Sequence, residues 1–233
     1  MALEPVGILD GAFFDRDTRL VARELLGAVL RRRWRGSWLS ARIIETEAYE
    51  ASERGSHASL GRTPSREPLF MAPGTIYMYF SRAGDSLNVS TRGAGNAVLI
   101  KSAFPHFDAR SGESTLRIMQ KLSPSTRPGE RRSRERICAG QTLLCRALSL
   151  HVRELSGRRF DPERFYIEAA SQPPEAILRA RRLGISEGRD EHLLWRFIDA
   201  AHARHCTSNP RTKRGAREGV DWCWDDPDAE PGG

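Results

Sequence analysis

Lysine is nearly missing from this chain. Lys101, Lys121 and Lys213 are its only lysines, so arginine carries almost all of the 37 basic residues that face 30 acidic ones for a net charge of +7. Long apolar runs are missing too. None approaches the roughly 20 residues that cross a bilayer, and residues 1–11 have neither a basic start nor an apolar stretch, so no membrane span and no signal peptide are expected. Cysteine is scarce: Cys138, Cys145, Cys206 and Cys223 are expected as free thiols in a reducing compartment rather than as a disulfide framework. No Gly-x-Ser-x-Gly elbow, phosphate-binding glycine loop or dinucleotide fingerprint occurs, which leaves acyl transfer, phosphoryl transfer and nucleotide-cofactor chemistry without support. His202, His205, Cys206 and Cys223 match none of the common zinc spacings, so neither a metal nor another cofactor is expected. No internal repeat is visible.

What remains is a chain of 233 residues with 39% hydrophobic and 29% charged residues, the balance of one globular domain. Arginine is a forked, weakly hydrated donor that suits phosphate oxygens, so the basic surplus points to a polyanionic partner, with nucleic acid ahead of membrane. The domain is expected over residues 1–206 and a polar, disordered tail over 207–233. Residues 15–33 carry apolar positions at helical spacing behind a cap at Asp17 or Thr18, which predicts one helix. Strands are expected over 38–49, 75–80, 87–91 and 96–103, the last two joined by a hairpin at 92–95. Between them, 50–73 reads as a long functional loop and 81–86 as a short polar connection. Helices are expected over 114–122 and 138–150, where Cys138 and Cys145 fill one apolar face, and further elements over 165–169 and 193–200. Short strands close together favour an antiparallel or mixed sheet.

The chemistry concentrates in Ile43-Ile44-Glu45-Thr46-Glu47-Ala48-Tyr49. Side chains alternate along a strand, so Glu45, Glu47 and Tyr49 fall on one face. Alone, that pattern is the ordinary one of a strand with a charged outer face. Tyr77 and Tyr79 alternate in the same way on a later strand, where core packing is the ordinary reading, and a lone loop histidine such as His57 is usually just solvated. Taken together with a basic surface, a carboxylate, aromatic rings and a loop histidine suit the handling of a nucleobase drawn out of a duplex. Such a base must be stacked between rings, and a carboxylate can then activate the attacking water.

These segments, with Val21-Ala22-Arg23-Glu24-Leu25-Leu26-Gly27, Pro73-Gly74-Thr75-Ile76-Tyr77-Met78-Tyr79, Leu87-Asn88-Val89-Ser90 and Ala97-Val98-Leu99-Ile100-Lys101, resemble the alkyladenine (3-methyladenine) DNA glycosylase family. The resemblance covers residues 13–147 and continues less closely to 197. It implies an α+β fold, a single mixed domain with a curved, mostly antiparallel sheet packed by helices. It also implies a monofunctional glycosylase of base excision repair, acting on double-stranded DNA that holds a damaged purine, such as 3-methyladenine, 7-methylguanine or hypoxanthine. Glu47 matches the family's general base. Tyr49, His57 and Tyr79 match the side chains that bind the extruded base, and Asn88 the residue that crowds the purine 2-amino position. Lys101 stands where the family usually has an arginine that positions water. The protein is further expected to be a monomer with no obligate protein partner and, lacking a signal peptide, to lie in the cytoplasm beside the nucleoid.

Three departures from the family pattern bear on DNA contact. The hairpin that normally wedges a tyrosine into the duplex here reads Phe80-Ser81-Arg82-Ala83-Gly84-Asp85, is one residue shorter, and places Arg82 nearest the intercalating position. The family's glycine-proline-x-lysine-leucine segment becomes Gly140-Gln141-Thr142-Leu143-Leu144, and its arginine-asparagine pair becomes Arg66-Glu67. Two rivals follow from them: a lesion-binding protein without catalysis, and a glycosylase that prefers single-stranded nucleic acid.

Overall fold

In the computed structural model, which describes residues 7–81 and 84–226, the chain opens with helices α1 (Gly11–Phe14) and α2 (Thr18–Glu24). Asp17 caps α2 by accepting from the backbone N–H of Arg19 and Leu20, as its position predicted. The second half of the expected helix over 15–33 is not helical. Gly27 takes φ +91°, donates to Ile43 O at 2.9 Å, and releases the chain into strand β1 (Val29–Trp34). Val29 and Leu30 fit a helical stripe or a strand equally well; their cross-strand partners Arg42 and Ala41 decide it. A two-residue turn at Arg35 (φ 46°) and Gly36 (φ 83°) then reverses the chain, with the positive φ at both positions that suits a tight hairpin.

Strand β2 (Ser37–Tyr49) is the spine of the sheet. After it come β3 (Ile76–Ser81), β4 (Gly84–Ser90), β5 (Ala97–Pro105), helices α3 (Thr115–Leu122), α4 (Gln141–Ala147) and α5 (Val152–Leu155), then β6 (Phe165–Glu168), β7 (Ile177–Ala180), β8 (Arg196–Asp199) and β9 (Trp222–Trp224). Among the described residues these nine strands make one sheet, ordered β3-β4-β5-β2-β8-β7-β9, with β1 joined to β2 and β6 joined to β1. Each strand pairing is antiparallel. The protein is an α+β domain, in line with the expected fold class. One edge of β2 pairs with β5. The other edge is shared, its first half with β1 and its second half with β8.

Alternation sorts the residues of these strands onto two faces. Ile76, Met78, Leu87, Val89, Val98, Ile100 and Ala48 enter the main core. There they meet Val21 and Ala22 of α2, Met119 of α3, Leu144 and Cys145 of α4, and Leu155 of α5. Truncating a fully buried Ile or Leu in such a core costs about 2–5 kcal/mol. The interleaved residues Tyr77, Tyr79, Asn88, Ala97, Leu99, Lys101 and Tyr49 face away from those helices into a cavity. A second, smaller core of Ile44, Leu178, Ile198, Cys206 and Trp222 fills the other end of the sheet.

Four expectations need correcting. Residues 81 and 84–86 belong to strands, paired as far as Ser81↔Gly84, because the β3–β4 ladder runs to the hairpin tip. The helix expected over 138–150 begins only at Gln141, after Gly140 at φ +100°, so Cys138 and Cys145 do not share a helix face; both are nevertheless buried in the main core. The long loop holds two short 3-10 turns, His57–Leu60 and Glu67–Phe70. Strands β7 and β9 went unforeseen. The latter lies inside the stretch expected as a tail, where Thr207 also bonds Glu45, while residues 227–233 lie outside the described ones. Among the described residues no helix is long and apolar enough to cross a membrane.

Candidate active site

Glu47 sits at the centre of the sheet, opposite Leu99 on β5 and Arg196 on β8, with no exposed surface. Its Oε2 accepts from the Tyr49 hydroxyl at 2.7 Å, and its Oε1 accepts from the Leu183 backbone N–H at 3.0 Å. Lys101 Nζ lies 3.5 Å from the same Oε1. Burial pushes the carboxyl up, but Lys101, the Leu183 N–H, Arg196 and the Tyr49 hydroxyl outweigh it. Together they hold the group below its ordinary 4.5 and keep it ionised at neutral pH. A carboxylate has roughly four acceptor positions, and two hydrogen bonds with one nearby ammonium do not fill them. Burial, Glu47 and their hydrogen bond push the Tyr49 phenol well above its ordinary 10, which keeps Tyr49 a donor.

The approach of Lys101 depends on irregular pairing. The β2–β5 register shifts twice around Glu45, and neither Ile44 nor Lys101 has a direct cross-strand partner. Such bulges re-aim side chains. One consequence is that Ile43 and Ala48, five residues apart and so of opposite parity, enter the same main core. Another is that Glu45 and Glu47, which alternation puts on one face, have different surroundings. Glu45 is buried and saturated: it receives Arg196 Nε at 2.6 Å, the Thr207 N–H at 3.0 Å and hydroxyl at 3.1 Å, and the Ser102 hydroxyl.

Above this floor lies a cavity of about 370 Å³, within the usual range for a small-ligand pocket. Tyr79 and His57 pack with ring centroids 4.4 Å apart, and Tyr77 completes the trio at 5.8 Å from Tyr79. The His57 ring nitrogen Nδ1 is 3.0 Å from the Tyr77 hydroxyl, which orients the imidazole. Burial, Arg66 and Arg189 hold His57 below its ordinary 6.5, so it is neutral at pH 7. Asn88 is 5% exposed and fixed by donation from Nδ2 to Tyr77 O at 3.2 Å. Five of the six described site residues expected from sequence, Tyr49, His57, Tyr79, Asn88 and Lys101, line this one cavity, and Glu47 touches it through its contacts with the lining residues Tyr49, Leu183 and Lys101. The expected Arg82 lies outside the described residues.

Three contributors were missed. Tyr77 was weighed only as a packing residue, although its alternation with Tyr79 was a usable signal. Leu183 acts through its backbone, which no side-chain motif reveals. Arg182 is a buried guanidinium beside Tyr49. At the rim, Glu67 is paired with Arg62, Asp85 lies 3.4 Å from His151, and Phe80 stands 75% exposed one residue after Tyr79. The cluster His202, His205 and Cys206 divides its contacts, with His202 on Asp199 at 2.9 Å and Cys206 in the second core.

An antiparallel sheet that carries an aromatic cavity on one face, floored by a buried and ionised carboxylate, defines an enzyme-like site for a flat ring. The chain matches the profile of the methylpurine-DNA glycosylase (MPG) family over residues 12–203 and belongs to that family. Among its relatives is a protein of Pseudomonas savastanoi pv. phaseolicola, 57% identical over 210 residues that span 90% of this chain and 93% of that protein. Another, from Pseudomonas aeruginosa strain PAO1, is 54% identical over 214 residues, 92% of this chain and 89% of its own. A more distant one, from Desulfitobacterium hafniense strain Y51, is 36% identical over 191 residues, 79% of this chain and 91% of its own. All three carry a provisional name as a 3-methyladenine DNA glycosylase. Membership makes this chain a DNA glycosylase of the repair of alkylated bases.

Proposed function

We propose that the protein hydrolyses the N-glycosidic bond of alkylated purines, 3-methyladenine and 7-methylguanine first, after drawing the damaged nucleotide out of duplex DNA into the aromatic cavity. The observation that carries this reading is the buried, ionised Glu47 under a cavity of tyrosine and histidine rings. Glu47 takes a proton from water, whose oxygen bonds C1′ of the deoxyribose. The C1′–N bond breaks, its electron pair leaves with the purine, and an abasic site remains. Lys101 helps to hold the water. The carboxylate also stabilises the positive charge that grows on the sugar, and a buried site strengthens that interaction.

Tyr49, His57 and Tyr79 receive the base. A purine made cationic by alkylation stacks well on electron-rich rings, and a neutral His57 adds no opposing charge. Asn88, held by Tyr77 O, crowds the 2-amino position of guanine. Extrusion costs a few kcal/mol, and less for a lesion that pairs poorly. The experiment is base release from methylated duplex DNA by the wild type and by Glu47→Gln. The wild type should release 3-methyladenine and 7-methylguanine, whereas the variant should bind the same DNA and release neither. A wild type that releases no base refutes the reading, and full activity in the variant refutes the role of Glu47.

A further inference from the structure

We infer that Arg182 is a positioning residue for Glu47, one guanidinium that locks the strand, the ring and the backbone donor on which the carboxylate depends. The inference rests on the proposed role of Glu47. Arg182 is 4% exposed. Its Nη1 donates to Ala48 O at 2.9 Å, the carbonyl between Glu47 and Tyr49. Its guanidinium carbon lies 4.6 Å over the Tyr49 ring, the ring whose hydroxyl donates to Glu47 Oε2. The residue that follows it is Leu183, whose N–H donates to Glu47 Oε1. Two of the three donors on the carboxylate are thus placed by one side chain and its backbone.

Both Nη atoms of that guanidinium hold Glu53, itself 4% exposed. Glu53 anchors the other wall. Its carboxylate accepts from the Glu50 N–H at 2.9 Å, and its carbonyl accepts from Ser56, which caps the turn that begins at His57. A buried ion pair by itself is weak grounds for stability. This one ties together residues 129 positions apart in the chain beside the cavity, and bidentate arginine geometry adds direction that a point charge lacks.

The test compares wild type, Arg182→Lys, Glu53→Gln and Glu47→Gln. For each, the single-turnover release of purines from dimethyl sulfate-treated duplex DNA is measured at saturating enzyme from pH 4 to 9, beside the affinity for that DNA and the melting temperature. Lysine keeps the charge but loses the fork. Arg182→Lys should therefore release base roughly 10- to 100-fold more slowly at neutral pH, since small losses of alignment are costly in rate. Its affinity should stay within a few-fold of wild type, and the acid limb of its profile should move to higher pH. Glu53→Gln, which keeps a hydrogen-bonding partner for the guanidinium, should shift the limb in the same direction by less. An unmoved acid limb in both variants, or rates that merely follow melting temperature, overturns the inference while an inactive Glu47→Gln still upholds the proposed chemistry. An active Glu47→Gln overturns both.

Discussion

Tyr49→Phe removes one oxygen and keeps the ring. The lost group donates to Glu47 Oε2 at 2.7 Å, inside a site where Glu47 has no exposed surface. A hydrogen bond to a charged group is worth about 1.5–3 kcal/mol, and water cannot easily replace it in so enclosed a place. Glu47 keeps Leu183 and Lys101, so it should remain ionised at pH 7, and the protein should lose about 1.5–3 kcal/mol there, roughly 3–12 °C in melting temperature for a chain of this size. The sign with pH follows from the depressed folded-state value of Glu47. Its contribution is present above the unfolded 4.5 and fades as pH falls through the folded value. Wild type and variant should therefore converge in stability toward strongly acidic pH. In single-turnover assays on methylated DNA the acid limb of the variant should move to higher pH, because a donor to the charged form is gone, while stacking of the base persists. Two results would refute the reasoning: an acid limb that does not move, or a stability difference that stays undiminished down to the pH of acid unfolding.

Lys101→Met removes the cation that contributes most to keeping Glu47 ionised; base release should fall at neutral pH and the acid limb should rise further than in Tyr49→Phe, as a pH–rate series would show. His57 is held below 6.5 by burial and two arginines, so its folded state prefers the neutral ring. Stability should therefore rise between the folded value and 6.5, and an NMR titration of the His57 ring should give a midpoint under 6.5, absent in His57→Gln. Far from the site, Arg31 is 2% exposed and held by Asp108 and Glu168. Asp108 stays charged down to about pH 2, because the Arg31 hydrogen bond and the Ser111 N–H outweigh its burial. Asp108→Asn should lower the urea midpoint at pH 7, a loss that disappears as pH falls from 3.8 through about 2.

Much of the site was legible because side-chain alternation is local geometry. Once 43–49 and 75–80 are strands, Tyr49 and Tyr79 fall on the faces where they are found, whereas the aim of Lys101 also depends on the bulge. His57 was legible only through the family resemblance, since nothing in a polar loop marks which histidine turns inward. The helix expected over 15–33 failed where local patterns are ambiguous: Val29 and Leu30 satisfy both periods, and only pairing with Ala41 and Arg42 makes them a strand.

The chain by itself determined the four strands β2 to β5, the polar face they share and the residues that could meet there, because these follow from periodicity and from motifs quoted in sequence. Tertiary structure decided how differently the two glutamates are held. Glu45 is saturated by Arg196, Ser102 and Thr207, while Glu47 takes its hydrogen bonds from Tyr49 and Leu183, which line the cavity. It also decided the bulge that aims Lys101 and the placing of Leu183 and Arg182, 136 and 134 residues away from Glu47 and Ala48. The reason is physical. A buried carboxylate must find its donors in three dimensions, and these come from backbone and from remote segments whose own sequence carries no pattern that points to it.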